Sequence, residues 1–136
     1  MAFRLLIVDD HAVVRLGLRT LFANNDSFEV CGEAPNGMEA IRMAFELSPD
    51  VVILDVSMPG MNGFETAANI AAIAPSIRIV LFSAHDVPAS AEWVGADAFV
   101  LKSSPLQELT LAVSRVLQLS KGPQTHQKRA SAPAGG

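Results

Sequence analysis

Five short runs of almost uninterrupted apolar residues, at 3–8, 28–32, 51–54, 77–82 and 98–101, constrain the fold more than any other feature of this chain. A strand with one wet face alternates apolar and polar residues, whereas a strand covered on both faces has no need to. The runs therefore read as strands of a parallel sheet buried between two layers of helices. The stretches between them carry helical spacing. The last is the clearest: Leu106, Leu109, Val113, Val116 and Leu117 share one stripe, with Glu108 and Arg115 off it. The second helical stretch groups Met38, Ile41, Ala44 and Phe45, and the third groups Phe64, Ala67, Ala68, Ala71 and Ala74. Pro49 and Pro75 follow these two closely, as stop signals do. Five strand-then-helix units within residues 1–119 imply a doubly wound α/β domain with a five-stranded parallel sheet. The fourth unit is cramped. Between Ser83 and Gly95, with Pro88 inside, there is room for only about two helical turns, so helix four is expected to be shortened.

Composition excludes several classes. Half of the 136 residues are hydrophobic, which rules out a chain disordered throughout. The single Cys31 forbids an internal disulfide and argues against a secreted, bridge-stapled scaffold. No apolar run approaches the ~18 residues of a membrane span, and the stretch 5–8 is too short for a signal peptide. A soluble, cytoplasmic domain is expected. Residues 120–136 contain no Val, Ile, Leu, Met or aromatic side chain and read as a disordered tail or interdomain linker. That stretch holds Lys121, Lys128 and Arg129, which leaves residues 1–119 with a net charge of −7. So acidic a body argues against direct nucleic-acid binding by this segment.

In a parallel sheet the C-terminal ends of all strands lie along one edge, and ligands bind in the crevice outside it. The residues just past each run are therefore the ones to weigh. Asp9, Asp10 and His11 follow the first, Asp55 the third, Ser83 the fourth and Lys102 the fifth. Three carboxylates gathered there repel one another, by about 4 kcal/mol for a pair at ~4 Å and an effective dielectric near 20. A cation must share the site, or one acid must hold its proton. Oxygen ligands without a His or Cys set suit Mg²⁺, or Mn²⁺, rather than Zn²⁺. His11 reads as a surface residue at a helix start. A carboxylate nucleophile beside a divalent ion, a lysine and a hydroxyl is equipment for phosphoryl transfer to Asp.

These residues resemble the response-regulator receiver domain of two-component signalling. The carriers are Asp9-Asp10; Asp55 in the run Leu54-Asp55-Val56-Ser57-Met58-Pro59-Gly60-Met61-Asn62-Gly63; Ser83-Ala84; Gly95-Ala96-Asp97; and Lys102 after Phe99-Val100-Leu101. The opening Val8-Asp9-Asp10-His11 and the stretch Ser83-Ala84-His85-Asp86 look most like the subfamily that often carries a C-terminal helix-turn-helix domain. The resemblance covers residues 1–119 and implies a flavodoxin-like (βα)5 fold. It implies that Asp55 accepts a phosphoryl group from a sensor histidine kinase or phosphotransfer protein. Asp9, Asp10, Asp55 and the backbone carbonyl of Ser57 would hold Mg²⁺. Lys102 and the backbone N–H of Ala84 would bind the phosphoryl group, with Ser83 and Phe99 as the switch pair. The chain would then be a phosphoacceptor rather than an enzyme in its own right, and a possible homodimer. The short fourth helix departs from the family pattern at its usual output face, and residues 120–136 cannot form a helix-turn-helix.

Plainer readings stand beside these. Asp9 and Asp10 could cap the first helix, Phe99 could be simple core, and Ser57 and His85 could tune hydrolysis of the acyl phosphate or do nothing. Three other functions compete. A haloacid-dehalogenase-type phosphohydrolase would need an Asp-x-Asp after strand one, where this chain has Asp9-Asp10-His11. A nucleotide or flavin binder would need a Gly-rich loop there. A phosphorylation-independent interaction module with the same fold would have no use for the intact set Asp9, Asp10, Asp55, Ser83 and Lys102.

Overall fold

The strands form as expected, and their alternation explains why they are apolar on both sides. A computed structural model describes residues 2–86 and 95–118 of the chain. Five strands, β1 (Phe3–Val8), β2 (Phe28–Ala34), β3 (Val51–Asp55), β4 (Arg78–Ser83) and β5 (Ala98–Leu101), make one sheet in the order β2-β1-β3-β4-β5. Every pairing is parallel. Leu5, Ile7, Val51, Ile53, Val80 and Phe82 face one side. There they meet Leu18 and Phe22 of α1 (Ala12–Ala23) and Leu109, Val113 and Val116 of α4 (Leu106–Leu117). The intervening Leu6, Val8, Val52, Leu54, Ile79 and Leu81 face the other side. They are covered by Ala40 and Ala44 of α2 (Gly37–Leu47) and Ala67 and Ile70 of α3 (Gly63–Ile73). Each large aliphatic side chain so buried contributes about 1.5–3 kcal/mol, which favours apolar residues on both faces of the sheet.

Several boundaries and one face differ from the sequence expectation. β2 runs on to Ala34, past Gly32, and an irregularity opposite Leu5 and Leu6 leaves Cys31 as the extra residue of this edge strand. β4 is shifted by one residue to end on Ser83, and β3 includes Asp55. In α2 the stripe is not Met38, Ile41, Ala44 and Phe45: Met38 and Phe45 are exposed, and the buried face is Gly37, Ala40 and Ala44. The reason is close packing against α3. A Cβ at Gly37 would lie 2.3 Å from Thr66 Oγ1, so only small residues fit on that side. In α4, Leu106 is exposed, while Leu109, Val113 and Val116 are buried with Ala112. Residues 87–94, which include Pro88, Trp93 and most of the expected shortened helix four, lie outside the described residues, as does the segment 120–136. Among the described residues no helix is long and apolar enough to cross a membrane.

The strand order puts the site in place. From β1 the chain moves outward to β2, then returns across β1 to β3, so connections leave the sheet in opposite directions on either side of β1 and β3. The crevice at the C-terminal ends of these two strands is the topological switch point of the sheet.

Candidate functional site

Val8 and Leu54 are register partners, so the next residues, Asp9 and Asp55, emerge side by side into that crevice. Both are almost completely buried, at 1% and 3% exposure. Asp10 is partly exposed next to them. Lys102 comes from the far edge: it follows β5, its N–H donating to the Ser83 carbonyl (2.6 Å). Its stem crosses the sheet end above Phe82, with Nζ 5.8 Å from the ring centroid. Nζ then donates to Asp9 Oδ2 at 2.7 Å and lies 3.3 Å from Asp55 Oδ1.

The remaining carboxylate oxygens divide into satisfied and unsatisfied. Asp9 Oδ1 accepts the His11 backbone N–H (2.8 Å), and Asp55 Oδ1 accepts that of Ser57 (3.3 Å). Asp55 Oδ2 and Asp10 Oδ1 are buried and accept no hydrogen bond. An ionised oxygen left so costs several kcal/mol unless a cation or a proton meets it. Burial, with the charge of Asp9 beside it, pushes the Asp55 carboxyl up from 3.8 to about 6, although Lys102 pulls the other way. Burial works against the Lys102 ammonium, but its hydrogen bond to Asp9 and the charges of Asp9 and Asp55 prevail and raise its pKa. One ammonium among three acids leaves the cluster electron-rich and short of positive charge.

Neither Asp9 nor Asp10 caps α1. The N-cap is His11, with no side-chain cap bond, so the acids are free for the crevice. The loop after β3 is held by backbone: the Gly63 N–H donates to the Val56 carbonyl (2.8 Å), and Asn62 and Glu65 cap α3 reciprocally. Met58 of this loop is buried, while Ser57 is exposed beside Asp55. Ser83 is buried at the end of β4, but its hydroxyl is turned into its own strand-end bend. There it donates to the His85 carbonyl (3.0 Å) and accepts the His85 N–H (3.2 Å). Ala84 is exposed at the same bend. Phe99, the register partner of Leu81, is half-buried against the core on the α2–α3 side.

Residues 5–114 match the description of the response regulator receiver domain. The chain belongs to the response regulator receiver domain family. Its relatives include the transcriptional regulatory protein YhcZ of Bacillus subtilis, 40% identical over 78% of this chain and 51% of that protein. Another is the nitrate/nitrite response regulator NarL of Escherichia coli, 38% identical over 80% of this chain and 52% of that one. The chain thus spans about half the length of the curated relatives it matches. A two-component response regulator of the LuxR family from Aurantimonas superposes with a TM-score of 0.82. It is 32% identical, the match covering 98% of this chain and 99% of that one. This receiver domain is therefore of the NarL and LuxR type, with the flavodoxin-like fold the resemblance implied.

The donor set fits the family's divalent ion. Asp9, Asp10 and Asp55 each bring an oxygen within 4.8 Å of the others, and two buried oxygens among them accept no hydrogen bond. Hard oxygen donors of this kind suit Mg²⁺. Two further residues touch the acids. His11 is the exposed helix-start residue expected, and its Nδ1 also lies 3.2 Å from both Asp9 Oδ1 and Asp10 Oδ1. Arg15, one turn into α1, donates to the Asp9 carbonyl (2.6 Å) and pairs with Glu33 of β2 at 3.4 Å. The signal for His11 is its place next to the acids, and for Arg15 its place in the first turn of a helix that starts at the sheet edge.

Proposed function

We propose that Asp55 is the phosphoacceptor of this receiver domain. It takes a phosphoryl group from the phosphohistidine of a sensor histidine kinase or a phosphotransfer protein. The observation that carries the reading is Asp55 Oδ2, a buried carboxylate oxygen with no partner, beside Asp9 and within the reach of Lys102. In the transfer this oxygen attacks phosphorus in line, the P–N bond breaks, and the electron pair stays on the donor imidazole, which then takes a proton. Lys102 is already held between Asp9 and Asp55 and needs little reorganisation to pair with the arriving phosphoryl oxygens. The Ala84 N–H is a second donor toward them. Asp9, Asp10, Asp55 and the Ser57 carbonyl would hold Mg²⁺ or Mn²⁺, which when bound neutralises carboxylate and phosphoryl charge. The domain catalyses at most its own phosphorylation and dephosphorylation.

Incubation with phosphoramidate or acetyl phosphate and Mg²⁺ should add ~80 Da to the intact mass, the mass of a phosphoryl group. The Asp55→Asn protein should gain nothing. An adduct retained in Asp55→Asn would assign the phosphoryl group elsewhere.

Phosphorylation adds roughly two negative charges to a cluster already rich in them. The Ser83 hydroxyl would leave its bend with His85 for this stronger acceptor, and Phe99 would turn into the space released. That biases a two-state equilibrium at the β4–β5 edge. Ser83→Ala should still take up the phosphoryl group but lose the phosphorylation-dependent shifts of Phe99 and β5 amides in NMR spectra. Unchanged shifts would remove Ser83 as the coupler. The domain itself spans 1–119 in this reading. Residues 120–136, without large apolar side chains, serve as tail or linker. The setting is the cytoplasm, and a body of net charge −7 over residues 1–119 does not itself bind nucleic acid. Val13 and Leu16 on α1 and Leu111 on α4 expose apolar surface that supports a homodimer.

A further inference from the structure

We propose that His11 is a nitrogen ligand of the aspartate centre. With His11 the centre becomes a mixed nitrogen–oxygen site that takes borderline transition ions such as Co²⁺ and Zn²⁺ as well as Mg²⁺. The inference deepens the metal reading above and rests on it. Ligand atoms of Asp9, Asp10, His11 and Asp55 all lie within 4.8 Å of one another. Two ligands at right angles on one ion, each about 2.1 Å away, are about 3 Å apart, and two opposite ligands about 4.2 Å apart. His11 Nδ1 is hydrogen-bonded to Asp9 Oδ1 at 3.2 Å and lies 3.2 Å from Asp10 Oδ1, so an ion replacing that contact would find the three atoms at the spacing of neighbouring ligands. The widest separation needs to close by only about half an ångström to fit one octahedral ion.

A second, independent feature points to a ligand there. Asp55 is 3% exposed, and its Oδ2 is buried in the crevice without a hydrogen-bond partner. His11 itself is held where it is by backbone. Its N–H is fixed to Asp9 Oδ1 (2.8 Å), and its carbonyl accepts from Val14 and Arg15, both at 3.1 Å, as α1 begins. The ring is therefore presented to the acids by the helix start and not by a flexible tether. It is 63% exposed, so it can shed water toward an incoming ion without opening the core. Carboxylates alone discriminate little among divalent ions beyond size and charge. An imidazole adds affinity for Co²⁺ and Zn²⁺ and almost none for Mg²⁺.

Calorimetric titration of the intact chain with Mg²⁺ and with Co²⁺ at about pH 8 reads the ratio directly. His11→Asn keeps a good helix N-cap and His11→Ala removes the ring outright. In both, Co²⁺ affinity should fall about tenfold or more while Mg²⁺ affinity stays within about twofold. In ¹⁵N-labelled protein, Zn²⁺ should shift the Nδ1 resonance of His11 and leave that of His85 in place. An unchanged ratio of Co²⁺ to Mg²⁺ affinity in both variants would overturn the nitrogen ligand and leave the oxygen site standing. An equal fall for both ions would also overturn it, since His11 would then only position the acids. Failure of the wild-type chain to bind Mg²⁺ or Co²⁺ would overturn this inference together with the metal reading beneath it.

Discussion

The Asp55→Asn protein should be more stable than the wild type at pH 8 in the absence of divalent ions, by about 2 kcal/mol, and no more stable at pH 3.5. Burial and the neighbouring Asp9 charge raise the Asp55 carboxyl from 3.8 to about 6, against the pull of Lys102. Below about 3.8 the group is protonated in both the folded and the unfolded chain, and it takes nothing from stability. As pH rises toward 6 the unfolded chain releases this proton first. Above 6 the folded protein carries the whole penalty, about 3 kcal/mol at roughly 1.36 kcal/mol for each pH unit. Asparagine never ionises, so it escapes the penalty. Some of the gain is lost because Lys102 gives up one of two acceptors, although it keeps Asp9 at 2.7 Å. Urea unfolding of both proteins across pH 3.5–8 in EDTA measures the difference. A constant difference across that range would mean that Asp55 ionises normally, and the electrostatic basis of the site would fail with it. Millimolar Mg²⁺ should narrow the difference, since the wild type has one more carboxylate to hold the ion.

Much of this arrangement was legible because strand ends carry it. Asp9, Asp55, Ser83 and Lys102 each stand directly at or after an apolar run, and a parallel sheet has only one edge on which those positions can meet. The burial of both faces of β1, β3 and β4 was legible for the same reason. What escaped was decided by contacts between elements. Met38 and Phe45 lie at helical spacing with Ala44, but the closeness of α2 to α3 reserves the inner face for Gly37, Ala40 and Ala44. Periodicity sees which residues share a side, not how near the next helix will come. His11 is the exposed helix-start residue that the sequence suggests, but the approach of its ring to Asp9 and Asp10 follows from local backbone direction, which spacing does not encode. The direction of the Ser83 hydroxyl, toward His85 in this structure, is a choice between local partners that no spacing encodes.

Close packing against the end of β3 makes Gly63, the first residue of α3, far less replaceable than its position suggests. A Cβ on Gly63 would sit 2.3 Å from the Asp55 carbonyl oxygen and 2.6 Å from Val56 Cα. Both are backbone atoms, so no side-chain rotation can relieve the overlap. To make room, α3 must withdraw from the end of β3, which breaks the 2.8 Å bond from the Gly63 N–H to the Val56 carbonyl. Gly63→Ala should therefore cost about 3 kcal/mol and lower the melting temperature by roughly 10–15 °C. Gly17 is the matched control. It lies on an exposed turn of α1, and a Cβ there would meet nothing within 4 Å. Gly17→Ala should stabilise by about 0.5–1 kcal/mol through helix propensity alone. Because Gly63 abuts the carbonyl of Asp55 itself, the damaged protein should also lose Mg²⁺ affinity at temperatures where it is still folded. Equal melting temperatures for the two alanine variants would mean that the loop closes without this contact. In that case α3 would no longer be what holds Asp55 at the crevice.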